Sequence, residues 1–568
     1  MTDYSNLCEA YLQLLSLDPN TCVELGLTEK LGQLPDPSLN MLHKTAAMAT
    51  QLGEDAKALV PELGDFYQRL DAQLIALSAR QVELESRLSF NGKLQSQQLP
   101  DAGEAISSGI FLLVTNDPRP ALARLQNIID RLAQVPRYLQ QALQRLDTPV
   151  ARWVDIDVET IEGLPDFFAT ILEWAATEKF PALDELRATI DKANSALADY
   201  CKALRQLPTT TVFSIGPENA QALIAANGIE LSLPQIQQVA CEFVQRTSEE
   251  IETLRVKLVE KYGLEQKLDA SELQQYLASR YGIKVDNNDF SQVIQRYKDI
   301  ATTIEDFVTE RGLFPIPQGQ AMNIMQTPGF MAPMIPAGAM MPPAALREGT
   351  RTSLVYLTLS AELMDEHTEL GIPIMMVHEG IPGHHLQLST AAMQESLVRR
   401  TFSANEHAEG WTTMLEDYML DIGLMGELTD EARFVTKLDI SRIGARVAID
   451  LYFMTGEVHY LDIGYNLEFT DADPFANAAA LLIAATGFTP GRAQAELNWY
   501  SQERGYPLSY LVGNHLIWQL KRDYQSAVTG KMSGLEIDRN FHRIYLESGN
   551  MPLAMLRRVF EHEIQQAL

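Results

Sequence analysis

The chain has 568 residues, 46% of them hydrophobic, and a formal net charge of −30. That length can bury several cores or build one large two-part enzyme. The acidic balance excludes nucleic acid and anionic membranes as partners, since no Lys/Arg-rich block offers a local exception, and its plain consequence is solubility.

The N-terminal stretch MTDYSNLCEAYLQLLSLDPN lacks a basic segment followed by an apolar core, so it does not read as a secretory signal. The longest apolar run, near residues 478–485, is too short to span a bilayer. Cys8, Cys22, Cys201 and Cys241 are scattered and form no C-x-x-C pair, which argues against a disulfide scaffold and a cysteine zinc site. These features predict a cytoplasmic protein in a reducing setting.

Residues 1–310 read as helical almost throughout. Leu70, Leu74, Leu77, Leu84 and Leu88 recur at helical spacings among Gln, Arg and Glu, which predicts an amphipathic helix. The segment from Asp117 to Leu146 repeats the pattern with a break at Pro136. The segment from Ser232 to Gly263 does so again, with Ser232 as its cap. No fixed-period repeat is present.

The texture changes near Leu313. From there to Pro343 the chain carries seven prolines and six methionines. Proline at this density blocks helix, and a long run of this kind suits an apolar wall or lid beside a substrate cleft. The methionines have no His or Cys neighbours, which argues against copper. Residues 352–360, TSLVYLTLS, form the best strand candidate in the chain. After it the chain again reads as helical.

The helix that follows contains VHEGIPGHHLQ, residues 377–387. It resembles the zinc signature H-E-x-x-H, but Pro382 occupies the fifth position. Catalytic zinc needs three protein ligands and one open position. On a straight helix His384 would point away from His378, and His385 would lie ~10.5 Å along the axis. Pro382-Gly383 can break that geometry, because proline removes a backbone donor and glycine admits unusual angles. A two-residue bulge would bring the next histidine, His384 or His385, back toward His378, with Glu379 placed to deprotonate a water. The bland alternative is a pair of surface histidines on a kinked helix. Against it, the preceding run GIPIMMV enters from a core, and ionisable groups at the end of a buried helix are more often functional. A third ligand is expected from residues 404–423, where Glu409 and Glu416 share one helix face. One suits a ligand and the other a supporting partner.

HEGIPGHHLQ, followed by AEGWTTMLEDYM, resembles the bacterial family known as domain of unknown function 885, which is grouped with gluzincin-type zinc metallopeptidases. The pattern H-E-x-x-P-G-H-x-x-Q falls on His378, Glu379, Pro382, Gly383, His384 and Gln387, and the E-G-W segment on Glu409, Gly410 and Trp411. Weaker matches place Arg442, Arg446 and Asp450 in a paired-arginine, aspartate stretch, and Ser509, Tyr510 and Gly513 in a Ser-Tyr-x-x-Gly segment. There are departures. Arg504-Gly505-Tyr506 stands where Pro-Gly-Gln is usual, and Met454 where a histidine is common.

The resemblance implies a mainly α, large two-lobed metallopeptidase-like fold with a deep central cleft and a small strand element near the active site. Residues 1–310 would form one wall of the cleft, and residues 311–568 the catalytic region of one integrated unit. It implies one Zn2+ per chain on His378, His384 and Glu409, with Glu379 as general base for a zinc-activated water and Tyr510 as donor to the developing oxyanion. His385, Gln387, Glu416, Arg446 and Asp450 would support the ligands or bind substrate. The substrate would be a peptide or small molecule. The residues also admit a non-catalytic metal or peptide binder, and a metal hydrolase of non-peptide amides or esters. Glu379 argues against the binder, which needs no base beside its metal. Oligomeric state is not legible.

Overall fold

The computed structural model describes residues 3–285, 289–327, 338–360, 364 and 367–567. The chain is predominantly helical and divides into two compact units. The first contains residues 1–226, 344–349 and 395–402; the second contains residues 227–343, 350–394 and 403–568. The division at 226/227 falls before the change in sequence texture near residue 310.

In the first unit, α1 (Leu39–Leu59) and α2 (Phe66–Arg87) pack as a hairpin. The leucine periodicity reads out as expected: Leu70 and Leu74 are buried, and the Asp65 carboxylate caps α2 by accepting from Gln68 N at 2.8 Å. A second core gathers α3 (Ala102–Thr115), α4 (Ala151–Thr177) and α5 (Leu183–Leu204). Before α4, the segment around Pro136 forms two helices, Ala121–Leu132 and Val135–Arg145, with the proline in the first turn of the second. There its missing N–H costs no hydrogen bond. The excursion at 395–402 is held by the buried carboxylate of Asp71, which accepts from Ser396 Oγ at 2.8 Å and pairs with Arg399 Nε at 3.0 Å.

The second unit opens with α6 (Leu233–Tyr262). Gln235 Oε1 accepts from Ser232 N at 2.9 Å at its start, and Gly263 ends it in the left-handed region. A three-stranded sheet follows, made of β1 (Gln320–Gln326), β2 (Gly338–Met341) and β3 (Arg351–Leu357). The expected strand near residue 352 is its centre. β3 runs parallel to β1, with Gln320 opposite Arg351, and antiparallel to β2, with Gly338 opposite Leu357. Part of the Pro/Met-rich run expected to be a loop is therefore sheet. Its described prolines flank the strands, and residues 320–326 and 338–341 contain none, so the ladders keep their donors. Residues 328–337 of that run lie outside the described residues.

The remaining helices used below are α7 (Gly371–Glu379), α8 (His384–Ala391), α9 (Asn405–Asp421), α10 (Thr429–Ile440), α11 (Arg442–Thr455), α12 (Pro490–Gln502), α13 (Ser509–Val528) and α14 (Gly534–Glu547). α9 is buried on nearly all sides and packs closely along α13. Among the described residues no helix is long and apolar enough to cross a membrane.

Candidate metal centre

α7 enters the site from the core, with Ile372, Pro373, Ile374, Met376 and Val377 buried. The expected bulge within one helix is instead a complete break. α7 ends at Glu379, residues 380–383 leave the helix, and α8 starts at His384. Gly383 is required by close approach: a Cβ there would lie 2.0 Å from the His378 carbonyl oxygen and 2.2 Å from that of Val377. The Pro382 carbonyl accepts from the buried Trp411 indole Nε1 at 2.9 Å, so α9 holds the break from the side.

This break brings the His378 and His384 rings to 4.9 Å between centroids, inclined at 81°. Glu409, on α9, faces both. Its Oε2 lies 3.4 Å from His384 Nε2 and 3.8 Å from His378 Nε2, and one donor atom from each of the three residues falls within 4.8 Å of the others.

The opposite atom of each side chain is already engaged. His378 Nδ1 meets Glu416 Oε1 at 2.7 Å, and His384 Nδ1 meets Gln387 Oε1 at 3.4 Å. The Tyr506 hydroxyl donates to Glu409 Oε1 at 2.9 Å. Glu409 Oε2 is buried and has no hydrogen-bond partner among the described residues. An orphaned buried carboxylate oxygen facing two imidazole nitrogens is a costly arrangement unless a cation joins them. Two ligand atoms ~2.1 Å from a tetrahedral ion lie about 3.4 Å apart, so the 3.4 and 3.8 Å separations from Glu409 Oε2 suit a zinc-sized ion.

The electrostatics point the same way. Burial pulls the His378 imidazolium down, but the Glu416 hydrogen bond and the charges of Glu379, Glu416 and Glu409 outweigh it and hold the ring at about 9. Burial pushes Glu409 up, yet His384 and His378 bring it down to about 2. Burial raises Glu416. Without a cation, the group leans on the raised His378 imidazole to balance its carboxylates. Glu379 is half-buried beside His378, and among the described residues its carboxylate takes no hydrogen bond or ion pair.

The other expected residues are placed as follows. His385 lies outside the cluster. Its Nδ1 meets Ser353 Oγ on β3 at 2.7 Å, its Nε2 meets Gln320 on β1, and burial lowers it to about 4. It therefore pins α8 to the sheet as a neutral ring. Gln387 also donates to the His407 carbonyl at 3.2 Å, which fixes the side chain that orients His384. Asp450 is fully buried and accepts from Gly505 N and Leu508 N, each at 3.1 Å. It shapes the turn that carries Tyr506 and is removed from the residues expected to meet substrate. Arg446 donates to Tyr500 and pairs with Glu496 at 3.0 Å, and its guanidinium lies 4.7 Å from the centre of the Tyr510 ring. Tyr510 sits beside Tyr506, with ring centroids 5.9 Å apart.

Tyr506 escaped sequence reasoning, being visible only as a departure from the usual Pro-Gly-Gln, and Trp411 was noted in the E-G-W segment with no sign that its indole would hold the break. α9 and α13 also touch main chain to main chain. A Cβ on Gly410 would lie 2.4 Å from the Gly513 carbonyl carbon, and one on Gly513 would lie 2.0 Å from the Glu406 carbonyl oxygen.

The helical fold as a whole has counterparts among known proteins. The chain belongs to the family described as bacterial protein of unknown function (DUF885), whose profile matches residues 19–560. A structure described as a "putative lipoprotein" from Colwellia psychrerythraea is similar at TM-score 0.79 and 17% identity, covering 100% of both chains. A second, described as a "putative lipoprotein of unknown function" from Shewanella oneidensis, is similar at TM-score 0.76 and 18% identity, covering 99% of this chain and 100% of that one. At these identities the likeness establishes the fold. PZ peptidase A with an inhibitor gives TM-score 0.35 at 13% identity, over 98% of this chain and 93% of that one, a likeness too distant to bear on function. No curated protein matches the chain.

The descriptions of the first two structures overturn the cytoplasmic expectation. Its premise was weak in physical terms: four free, scattered thiols show that no disulfide joins them, and they do not specify a compartment.

Proposed function

We propose that the protein is a zinc-dependent hydrolase, most naturally a metallopeptidase, with one Zn2+ per chain on His378, His384 and Glu409. The observation that carries this reading is the convergence of His378 Nε2, His384 Nε2 and the orphaned Glu409 Oε2 beside an uncommitted Glu379. When bound, the ion supplies Lewis acidity, polarising a substrate carbonyl and acidifying water.

The chain's own residues supply the rest. Glu379 takes a proton from the attacking water and passes it to the leaving amine, the work of a carboxylate with no other partner. Tyr510 donates a proton in a hydrogen bond to the developing oxyanion. Glu416, Gln387 and Tyr506 fix the far side of each ligand, so the nitrogens and Oε2 present in one orientation.

The test is metal analysis of the purified protein, with peptide-mixture digestion read by mass spectrometry. The reading expects about one zinc per chain and cleavage that stops in Glu379→Gln while the zinc stays. Zinc-loaded protein that cleaves no peptide, amide or ester would overturn it.

A further inference from the structure

A cavity of about 480 Å³ opens in the second unit among α6, α9, α10 and α13. That is the size of a small-molecule site. None of the three ligand residues lines it, yet it shares α9 with Glu409 and Glu416, and α13 with Tyr510.

The charges on its walls are uneven. In one part Arg433 pairs with Asp417 and Asp421, and Lys437 pairs with Asp417 and Glu250, so those groups answer one another. Elsewhere α6 presents Arg246, and α13 presents His515, Trp518 and Arg522, three and four residues apart and thus on one face. Arg246 and Arg522 have no ion pair or hydrogen bond among the described residues. The acid on that part of the wall, Glu242, already accepts from Gln238 at 2.9 Å. Burial, then Arg522 and Arg246, lower His515 against the pull of Glu242, so both guanidiniums are felt at the same ring. Two unanswered arginines around one cavity are unexpected in a chain with 75 acids and 45 bases, where counter-ions are plentiful. Trp518 is half-buried and lines the same wall, so part of its indole is presented to the cavity.

We propose that this cavity binds a small phosphate monoester, with its dianion held between Arg246 and Arg522 and its planar organic part laid on Trp518. Guanidinium forks suit phosphate oxygens, and two guanidiniums against the single carboxylate of Glu242 leave this part of the wall with a positive excess for a phosphate anion. The cavity's dimensions and the protein's acidic surface favour a free molecule over a headgroup in an anionic bilayer.

The probe is phenyl phosphate, titrated into the metal-loaded protein by calorimetry beside inorganic phosphate and phenol. Phenyl phosphate is expected to bind more tightly than either, since each control lacks one of the two features. The R246Q/R522Q protein is expected to lose affinity by about tenfold or more, and W518A by about threefold. Both arginines are exposed, so folding should survive, and an unchanged Tm confirms it. Undiminished binding in R246Q/R522Q would place the anion elsewhere, at the metal centre for example, and overturn the proposal. Equal affinity for inorganic phosphate would overturn the role of Trp518, and no binding of phenyl phosphate at millimolar concentration would overturn the site itself.

Discussion

The residues around the ligand group divide by what their loss removes. Glu379→Gln keeps shape but cannot take a proton. It is expected to retain about one zinc per chain and to lose about 10²- to 10⁴-fold in turnover; full turnover would remove Glu379 from the chemistry. Trp411→Phe is a subtler change. The ring stack on Tyr545, 4.5 Å away and nearly parallel, should survive, but the Pro382 carbonyl loses its indole donor. The expected result is a zinc affinity about tenfold weaker in a chelator competition, with a stability loss of about 1–3 kcal/mol for the unpaired buried carbonyl. Unchanged zinc affinity would show that the break holds its shape without α9. His378 and Glu379 stood out by residue type and spacing, whereas Glu409 and Glu416 share one helix face and only the resemblance singled out Glu409. Tyr506 did not stand out, since a tyrosine among aromatic neighbours gives no sign of which hydroxyl reaches a carboxylate.

At the scale of elements, the odd spacing of the histidines is explained by two helices meeting at four non-helical residues. Deleting Pro382 and Gly383 would create a formally correct H-E-x-x-H, yet it would remove half of that connection. The deletion is expected to lose zinc and activity, and a fully active deletion variant would refute the break as the basis of the site. Gly383→Ala is a finer probe. Its methyl would meet two backbone carbonyls at 2.0 and 2.2 Å, and neither can rotate away. Zinc content and Tm should both fall, whereas Ala at the open Gly491 should leave them unchanged. Sequence periodicity announced the helices well, because burial on one face writes itself into leucine spacing. It missed β1 and β2, because methionine-rich strands lack the β-branched pattern and the prolines around them dominated the reading.

For the whole molecule, acid–base balance gives a separate expectation. Asp157, on α4, is buried. Burial, against the Gly103 N–H, raises its carboxyl to about 7. A raised carboxylate contributes stability that is intact below its ordinary pKa near 4 and lost as pH climbs through 7. The parent should therefore lose up to about 4 kcal/mol at this residue between pH 4 and pH 8. Asp157→Asn can still accept from Gly103 and reach Tyr200 without ionising, so its stability profile should be flatter over that window. Identical denaturant midpoints across pH for the two proteins would contradict this. The division into two compact units was not readable from composition, because the turn at Asn227-Gly228 looks like any other connection between helices and helical texture resumes at Leu233.

The glycine contact between α9 and α13 has a mechanical meaning. Interfaces made of side chains yield by changing rotamers, but two backbones already touching have nothing left to compress. The crossing at Gly410 and Gly513 is therefore expected to be the stiffest point of the pair, with Glu409 beside it and stiffness falling toward the far ends of the two helices at Asp421 and Val528. Amide exchange should follow that gradient, slowest at residues 409–413 and 510–514 and faster toward the far ends of both helices. Uniform exchange along α9 would show that the contact bears no load.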